Sequence, residues 1–305
     1  MKILVSGGAG FIGSHVVDAY VAAGHQVAVV DNLTTGRRDH VNPAARIYPL
    51  DIRSPQLREV FERERPEVVS HHAAQASVVA SVADPRADAD VNIMGTLHLL
   101  TLCAQFGVHR LVFASTGGAI YGNPQRLPAG EDHLANPLSP YGISKLSGET
   151  YVRYFGTTGL WWAILRYANV YGPRQDPRGE AGVVSIFTQA LLDGRAPTVF
   201  GDGAQTRDFV YVEDVARANL LATDAAASDL ANIGTGVETS VNDIARHLAA
   251  LTGFRGDPLH AAPRPGEVRR IVLDASKARR WLGWSPQTPL EEGLRRTVEW
   301  VRTRR

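Results

Sequence analysis

Short strand-like runs alternate with amphipathic stretches along the first half of the chain. Strands are predicted at Ile3–Val5, Val27–Val30, Arg46–Pro49, Val68–Val69, Leu111–Phe113 and Trp162–Arg166, and helical spacing predicts helices over Phe11–Ala23, from Pro55, over Asp84–Phe106 and over Gly142–Phe155. This alternation predicts an α/β fold, a Rossmann-type doubly wound parallel sheet with helices on both faces. Continuous apolar strands are typical of such a sheet.

The pattern changes after Asn169. Gly, Pro and Arg cluster over Tyr171–Arg178 and Pro258–Gly266, with short helices and strands between them. We expect a smaller C-terminal α/β substrate lobe of residues 169–207 and 233–305 beside a dinucleotide-binding domain of residues 1–168. The chain is expected to return to that domain at about residues 208–232. The lobe should cover the carboxyl edge of the sheet, where open α/β sheets bind ligands.

The composition of the chain argues against several classes of function. The 32 Lys and Arg residues nearly balance the 31 Asp and Glu residues, so no long-range field would gather nucleic acid or an anionic membrane. Cys103 is the single cysteine, and the adjacent His71 and His72 should point to opposite faces of a strand, so we expect no metal site. Without a signal-peptide pattern or an apolar run of about 18 residues, a soluble cytoplasmic protein is expected.

A glycine-rich turn joins the first predicted strand to the first predicted helix. Gly7 permits a tight turn, Gly10 lets the backbone approach a pyrophosphate, and Gly13 allows helix and strand to pack closely. The spacing is GxxGxxG rather than GxGxxG. The position between strand and helix favours a dinucleotide site over a purely structural turn.

Acidic residues at two later strand ends predict which dinucleotide is bound. Asp31 can accept hydrogen bonds from a ribose diol and would repel a 2′-phosphate, which favours NAD, although Arg37 and Arg38 leave NADP conceivable. Asp51 and Ile52 could contact adenine, and a helix-capping role for Asp51 is nearly as good an interpretation.

Tyr141 and Lys145 are four residues apart on a helix that Pro140 introduces, so their side chains should lie on one face. A nearby ammonium favours the phenolate form, which lets the tyrosine act as a base near neutral pH. A hydroxyl at the end of the preceding strand could share the proton transfer. Thr116 is favoured, with Ser115 as the second choice, and the structural alternative is a pair of turn-forming hydroxyls before Gly117.

Nine segments carry a family resemblance in chain order: GGAGFIGSH, DNLTTG, HHAAQASV, DVNIMGT, STGGAIYG, SPYGISK, RYANVYGPRQDP, GDGAQTRDFVYVEDV and RPGEV. The chain resembles the family of UDP-glucose 4-epimerases, within the extended short-chain dehydrogenases/reductases, over essentially its whole length. The resemblance implies a transient oxidation of the sugar at C4 with tightly bound NAD, rotation of the 4-keto sugar, and reduction on the opposite face.

The same resemblance implies the site residues. Those that would contact NAD are Phe11, Ile12, Asp31, Asn32, Thr35, Gly36, Asp51, Ile52, Ala73, Ala74, Gln75, Asn92, Tyr141, Lys145 and Tyr167. Those that would bind the nucleotide sugar, besides Thr116 and Tyr141, are Asn169, Phe200, Arg207, Arg264 and Glu267. Arginine forks suit a diphosphate, and Phe200 offers uracil a stacking face. Ile271, at the position lining the sugar pocket, is neither bulky and aromatic nor small, so tolerance of acetamido sugars stays open.

Other activities remain open at this point. A 4,6-dehydratase would need an acid and a base where Gly117 and Gly118 stand. UDP-glucuronate 4-epimerisation would need a cation for the carboxylate, which Arg174 or Arg178 could supply, and UDP-N-acetylglucosamine 4-epimerisation is a further alternative. A redox-sensing Rossmann protein without catalysis is the alternative from another class, although Tyr141 and Lys145 are both retained.

The resemblance also implies a homodimer. The helix over Asp84–Phe106 and the helix of Tyr141 would pair across a two-fold axis into a four-helix bundle. Leu97, Leu100 and Tyr151 are the candidates for that interface, and a core role is an equal alternative for each.

Overall fold

The computed structural model describes residues 1–178, 182–263 and 268–304. The strands are β1 (Lys2–Ser6), β2 (Gln26–Val30), β3 (Arg46–Tyr48), β4 (Val68–His71), β5 (Arg110–Thr116), β6 (Trp161–Tyr167), β7 (Asn169–Tyr171), β8 (Thr198–Phe200), β9 (Thr206–Tyr211), β10 (Asp229–Ile233), β11 (Glu238–Ser240) and β12 (Leu259–Ala261). The helices are α1 (Phe11–Ala22), α2 (Leu57–Glu64), α3 (Val78–Ala83), α4 (Pro85–Ala89), α5 (Gly95–Phe106), α6 (Gly117–Ile120), α7 (Pro140–Gly156), α8 (Val183–Leu192), α9 (Val212–Thr223), α10 (Val241–Thr252), α11 (Ser276–Leu282) and α12 (Leu290–Arg302).

Seven parallel strands form the central sheet, in the order β10-β6-β5-β4-β1-β2-β3. The inner strands bury most of their residues, as β1 does from Ile3 to Ser6, because helices cover both faces, whereas the edge strand β3 is only partly buried. Helices α1 and α9 pack on one face, and α2, α5 and α7 pack on the other. The predicted Rossmann-type fold is confirmed.

The chain changes direction in the sheet between β1 and β4. It runs outward from β1 through β2 to β3 and then returns to build β4, β5 and β6 on the other side of β1. A crevice opens at such a switch point because the connections leave adjacent strands in opposite directions. Gly7 follows β1 and His72 follows β4, so the two loops face each other across this crevice.

A smaller unit stands at the carboxyl edge of the large sheet. Strands β11, β9 and β7 form one small sheet, β12 pairs with β8 in parallel, and α8, α10 and α12 bury the apolar residues of this unit. The chain leaves the unit after β9, packs α9 against α1, and adds β10 to the edge of the large sheet beside β6. Helix α11 lies against α9 and β10.

One predicted helix has a more complex form. The segment predicted as a helix over Asp84–Phe106 begins at Pro85 and contains a π-helical turn over Asp90–Met94 between α4 and α5. Leu100, for which an interface role and a core role are equal alternatives, is fully buried between α5 and the sheet, which supports the core role. Leu97 is half-buried and Tyr151 is exposed.

Candidate active site

The glycine-rich turn leaves no room for side chains at two of its positions. Gly7 has a φ of +72°, and a Cβ there would lie 2.5 Å from the backbone nitrogen of Ala73. A Cβ at Gly13 would lie 2.1 Å from the carbonyl oxygen of Gly7. Only glycine fits these positions, so β1, the loop after β4 and the start of α1 approach each other closely.

Gly10 differs from the other two glycines, because a Cβ there would meet only the carbonyl oxygen of Gly7, at 3.2 Å. Gly10 lines the crevice in front of α1, where unpaired backbone N–H groups and the helix dipole favour an anion. A side chain at this position would project into the crevice. The turn is therefore shaped to receive a diphosphate against the backbone.

Two adjoining cavities of about 220 and 110 Å³ form one groove along the switch point and share Gly7, Gly10, Thr35, His72 and Ala74. Ten of the predicted residues line the larger cavity: Gly7, Gly10, Phe11, Ile12, Gly13, Thr35, Ala74, Tyr141, Lys145 and Tyr167. Ser115 lines it as well. The smaller cavity adds Asp31, Asn32, Asp51, Ile52 and Ala73. The structure thus brings most of the predicted cofactor residues into one continuous groove.

Three further predicted residues make contacts within the protein. Gly36 lies so close to Asp31 that a Cβ would be 2.7 Å from its Oδ1. The backbone nitrogen of Gln75 donates to Asn92 Oδ1 (2.9 Å), and Asn92 Nδ2 donates to the carbonyl oxygen of Gln75 (2.7 Å) and to Ser144 Oγ (3.2 Å). Asn92 therefore joins the loop after β4 to α7, and its contact with a cofactor stays a prediction.

Asp31 is buried and lines the smaller cavity of the groove. Its Oδ2 accepts from the backbone nitrogen of Ala9 (2.9 Å) and its Oδ1 from that of Leu33 (2.8 Å). Each carboxylate oxygen can accept a second hydrogen bond, so a ribose diol can still be bound. Arg37 is paired with Asp39 at 3.1 Å, which engages the cation that could otherwise attract a 2′-phosphate.

Asp51 lines the smaller cavity together with Asp31. Hydrogen bonds from Arg53 hold the pKa of the Asp51 carboxyl well below its usual value, and Asn32 Nδ2 also donates to it, at 2.9 Å. The group is therefore a fixed carboxylate at neutral pH. Its two oxygens already accept four hydrogen bonds within the protein, three from Arg53 and one from Asn32, so a contact with adenine stays a prediction.

Tyr141 and Lys145 lie together in the larger cavity because α7 begins just before them. Ser139 caps this helix by accepting from the backbone nitrogen of Gly142 (3.2 Å), and Pro140 occupies the first helical position. Lys145 is buried, and its Nζ lies 4.9 Å from the centre of the Phe113 ring. The cation is thus held against β5, and it lies on the same helical face as the phenol.

The two candidate hydroxyls occupy different surroundings. Ser115 Oγ donates to the buried Glu149 Oε1 at 2.6 Å. Thr116 is half-buried, and its Oγ1 and the Oδ1 of Asn169 lie 3.9 and 3.6 Å from the position of a Cβ on Gly118. Ser115 is therefore directed to a carboxylate of the protein, whereas the Thr116 hydroxyl and the Asn169 amide both lie near Gly118.

The two histidines after β4 have different environments. His71 is buried, bonded to Ser6 Oγ (2.7 Å) and Thr96 Oγ1 (2.9 Å), in agreement with its structural interpretation. The His72 ring lines both cavities and stacks on Tyr167. Burial and then the charge of Lys145 lower the pKa of His72 to about 3, so its ring is neutral at physiological pH. Sequence reasoning missed this lining residue.

A third cavity of about 320 Å³ lies in the smaller unit. It is lined by three of the predicted substrate residues, Asn169, Phe200 and Arg207, and also by Gln205, which was not predicted. Arg207 Nη1 donates to the carbonyl oxygen of Thr206 at 2.8 Å, which holds the guanidinium beside the cavity. The predicted substrate residues Arg264 and Glu267 lie outside the described residues.

Two further cations were considered for a sugar carboxylate. Arg174 lines the larger cavity of the groove, and its Nη2 is paired with Asp18 at 2.7 Å. Arg178 is largely exposed and paired with Asp176. Ile271 is buried in the core between β9 and the sheet, and its backbone nitrogen donates to the carbonyl oxygen of Thr206 (3.4 Å).

Two other kinds of feature are absent from the described residues. Within residues 1–178, 182–263 and 268–304, His, Cys, Asp and Glu side chains form no group of three or more that could hold a metal ion. In the same ranges no helix combines the length and the apolar composition needed to cross a bilayer.

Comparison with known proteins agrees with this geometry. Residues 3–234 match the family described as the NAD dependent epimerase/dehydratase family. The chain belongs to this family. The match confirms the resemblance drawn from the nine segments, the predicted cofactor, NAD, and the predicted class, an NAD-dependent enzyme of sugar epimerisation.

Individual relatives extend the similarity over the whole chain. A UDP-glucose 4-epimerase of Mycolicibacterium smegmatis is 44% identical over 311 residues, covering 100% of this chain and 99% of the relative. The structure of a UDP-glucose 4-epimerase of Thermotoga maritima with UDP-glucose is 49% identical, with a TM-score of 0.98 and coverage of 100% and 99%. That of a Thermus thermophilus UDP-glucose 4-epimerase in complex with NAD is 45% identical, with a TM-score of 0.94 and 99% coverage of both chains.

Proposed function

We propose that the protein interconverts UDP-glucose and UDP-galactose by transient oxidation at C4 with tightly bound NAD. The observation that carries this proposal is the position of Tyr141 and Lys145 in the groove of the glycine-rich turn. Thr116, at the end of β5, has its hydroxyl near Gly118, as does the amide of Asn169. Full-length similarity to UDP-glucose 4-epimerases supports the choice of substrate.

The residues of the groove have distinct proposed roles. When bound, NAD supplies the acceptor and the donor of the hydride at C4. Tyr141 takes the proton from the 4-hydroxyl, and Thr116 hydrogen-bonds the same oxygen and assists the transfer. Lys145 stabilises the phenolate with its ammonium and bonds the nicotinamide ribose. The proton returns from Tyr141 to the sugar oxygen when the opposite face is reduced, so the groups end in their starting states.

The smaller unit is the proposed nucleotide-sugar lobe. Phe200 stacks on uracil, Arg207 holds the diphosphate, and Asn169 contacts the sugar side of the diphosphate linkage. Arg264 and Glu267 are assigned to the same site through the family resemblance. A clamp on the nucleotide leaves the 4-keto sugar able to turn about the diphosphate, which exposes its other face.

UDP-galactose without added NAD tests the proposal. Purified protein should form UDP-glucose while the total cofactor stays constant, because the hydride is returned in every cycle. A redox sensor would form no product, and a dehydratase would form a keto sugar that absorbs ultraviolet light in alkali. Either result, or a strict need for added NAD, would contradict the proposed function.

The other sugar substrates receive less support from the geometry. Arg174 and Arg178 are paired with Asp18 and Asp176, so each cation considered for a glucuronate carboxylate already has a counter-ion. UDP-glucuronate should therefore be a poorer substrate than UDP-galactose in the same assay. UDP-N-acetylgalactosamine tests whether acetamido sugars are substrates. Ile271 is buried and is not aromatic, so no aromatic ring protrudes into the pocket from this position.

We also propose that the protein forms a homodimer through α5 and α7. The proposed location is the cytoplasm, and the proposed role is in galactose metabolism. Met94 and Ile143 are 57% and 52% exposed, large values for apolar side chains on the two predicted helices. Leu97 and Tyr151 remain interface candidates, whereas Leu100 lies in the core. Ile143→Arg should shift sedimentation from dimer to monomer, and a wild-type protein that sediments as a monomer would contradict the proposal.

A further inference from the structure

Glu149 is a fully buried carboxylate on α7 that has no part in the proposed proton transfer. Tyr141, Lys145 and Glu149 recur every four residues, so their side chains lie along one face of the helix. A buried charge needs partners with good geometry, because removing it from water costs several kcal/mol. Its partners therefore show what the carboxylate holds together.

Both oxygens of Glu149 accept from residues of the central sheet. Arg166 of β6 donates from Nε to Oε1 (2.8 Å) and from Nη2 to Oε2 (2.7 Å), a bidentate pair with a fixed orientation. Ser115 of β5 donates to Oε1 at 2.6 Å. The carboxylate thus ties α7 to the carboxyl ends of two neighbouring strands.

Arg166 is itself fixed from its other side. Its Nη1 donates to the hydroxyl oxygen of Tyr121 (2.9 Å), and that hydroxyl donates to Asn232 Oδ1 on β10 (2.8 Å). All of these side chains are buried. The guanidinium therefore cannot follow the carboxylate if α7 shifts, and the pair acts as a rigid attachment.

Thr116 lies between two immobilised residues. On one side, Ser115 is held by Glu149. On the other, Gly117 is packed so closely against Leu273 that a Cβ would be 2.4 Å from Leu273 Cδ1, and the Leu273 backbone nitrogen donates to the buried Asp208 (3.2 Å). The peptide that carries the Thr116 hydroxyl can therefore move only if one of these contacts breaks.

We propose that Glu149 is a positioning residue, which holds Thr116 in register with Tyr141 by tying Ser115 to the helix that carries Tyr141. The inference rests on the proposed function, in which Thr116 is the catalytic hydroxyl. Ser115 is then a tether rather than a reacting group. Displacements of about 1 Å at reacting groups can cost a hundredfold in rate, so such a tether has a measurable effect.

The test compares Ser115→Ala and Glu149→Gln with the wild-type holoenzyme in the UDP-galactose assay. Ser115→Ala should lower kcat about tenfold and Glu149→Gln up to about a hundredfold. In both variants KM and the content of bound NAD should stay within about twofold of wild type, because neither residue contacts the substrate in this arrangement. A lower kcat with an unchanged KM distinguishes a positioning role from a general loss of structure.

The double variant and a matched control sharpen the test. Because Ser115 acts through Glu149, Ser115→Ala/Glu149→Gln should turn over no more slowly than Glu149→Gln alone. Asp214 is a comparable buried carboxylate on α9, which accepts from the backbone nitrogens of Gln287 and Thr288, both at 2.9 Å. Asp214→Asn should have a lower melting temperature than the wild type, as Glu149→Gln should, but it should keep the wild-type kcat.

Three results would overturn the inference: folded variants that turn over at the wild-type rate, losses that multiply in the double variant, or an equal loss of kcat in Asp214→Asn. Should Glu149→Gln fail to fold, Ser115→Ala carries the test, since it leaves the Glu149–Arg166 pair intact. A wild-type protein that does not epimerise refutes the proposed function and this inference with it. Unaffected variants of an active enzyme refute the inference alone.

Discussion

Tyr141→Phe is the most direct test of the proposed chemistry. The change removes one oxygen and keeps the ring that lines the groove, so binding surfaces are preserved. Lys145 stays in place on the Phe113 ring, and the backbone of the glycine-rich turn is unchanged. The variant should therefore bind NAD and lose only the group that accepts the proton.

The expected magnitude follows from the role of that group. A positioned general base contributes about 10² to 10⁴ in rate, and each factor of ten corresponds to about 1.4 kcal/mol of activation free energy. Because the Thr116 hydroxyl and Lys145 remain to orient the sugar, we expect a loss in kcat near a thousandfold, or about 4 kcal/mol.

The assay follows UDP-glucose formation from UDP-galactose and measures the NAD released on denaturation. Tyr154→Phe is the matched control, because Tyr154 is on the same helix and 62% exposed. It should retain wild-type turnover. A Tyr141→Phe variant with near-normal kcat would refute the assignment of the base, and one that has lost its NAD would show that the phenol contributes mainly to binding.

Three further changes test other parts of the molecule. Arg207→Ala should raise KM for UDP-galactose by about 10- to 100-fold, because hydrogen bonds to a charged group contribute about 1.5–3 kcal/mol. An unchanged inhibition constant for UDP would contradict the diphosphate contact. Gly13→Ala should purify without NAD or fail to fold, since its Cβ would overlap the carbonyl oxygen of Gly7; normal NAD content would show that the turn can open. Burial, then the charge of Arg174, lowers the pKa of His15 from 6.5 to about 4, so the unfolded chain binds more protons between these values. His15 should therefore contribute stability that is fully present above pH 6.5 and is lost at about 1 kcal/mol per pH unit toward pH 4. His15→Gln, which can still donate to the carbonyl oxygen of Pro173, should reduce the total slope measured by urea unfolding by about that amount.

The central sheet could be predicted because its strands are buried on both faces. An apolar run such as Ile3–Val5 followed by Gly7 has few alternative structures, and the element order then determines the layers. The π-helical turn at Asp90–Met94 could not be predicted in the same way. One wider turn changes the helical register by a single residue, which the apolar spacing does not reveal.

Contacts between distant segments determine how much of the site can be predicted from the sequence. Gly7, Asp31 and Tyr141 each carry a local pattern that suggests their chemistry, and the structure brings them to one groove. His72 carries no such pattern, because its place between the two cavities depends on the pairing of β4 with β1. Leu100 shows why the sequence left two roles open, since an apolar helix residue has the same spacing whether its own sheet or a second subunit covers it.

The chain passes from the large sheet to the smaller unit and back, so neither part is encoded by one continuous segment of the sequence. A fragment ending at Ala168 would lack α9 and β10, leaving an open edge on β6 and an uncovered apolar layer beside α1. Such an edge invites aggregation. Recombination could therefore exchange surface loops of either part, but it could not transfer the smaller unit to another enzyme without carrying part of the large sheet with it.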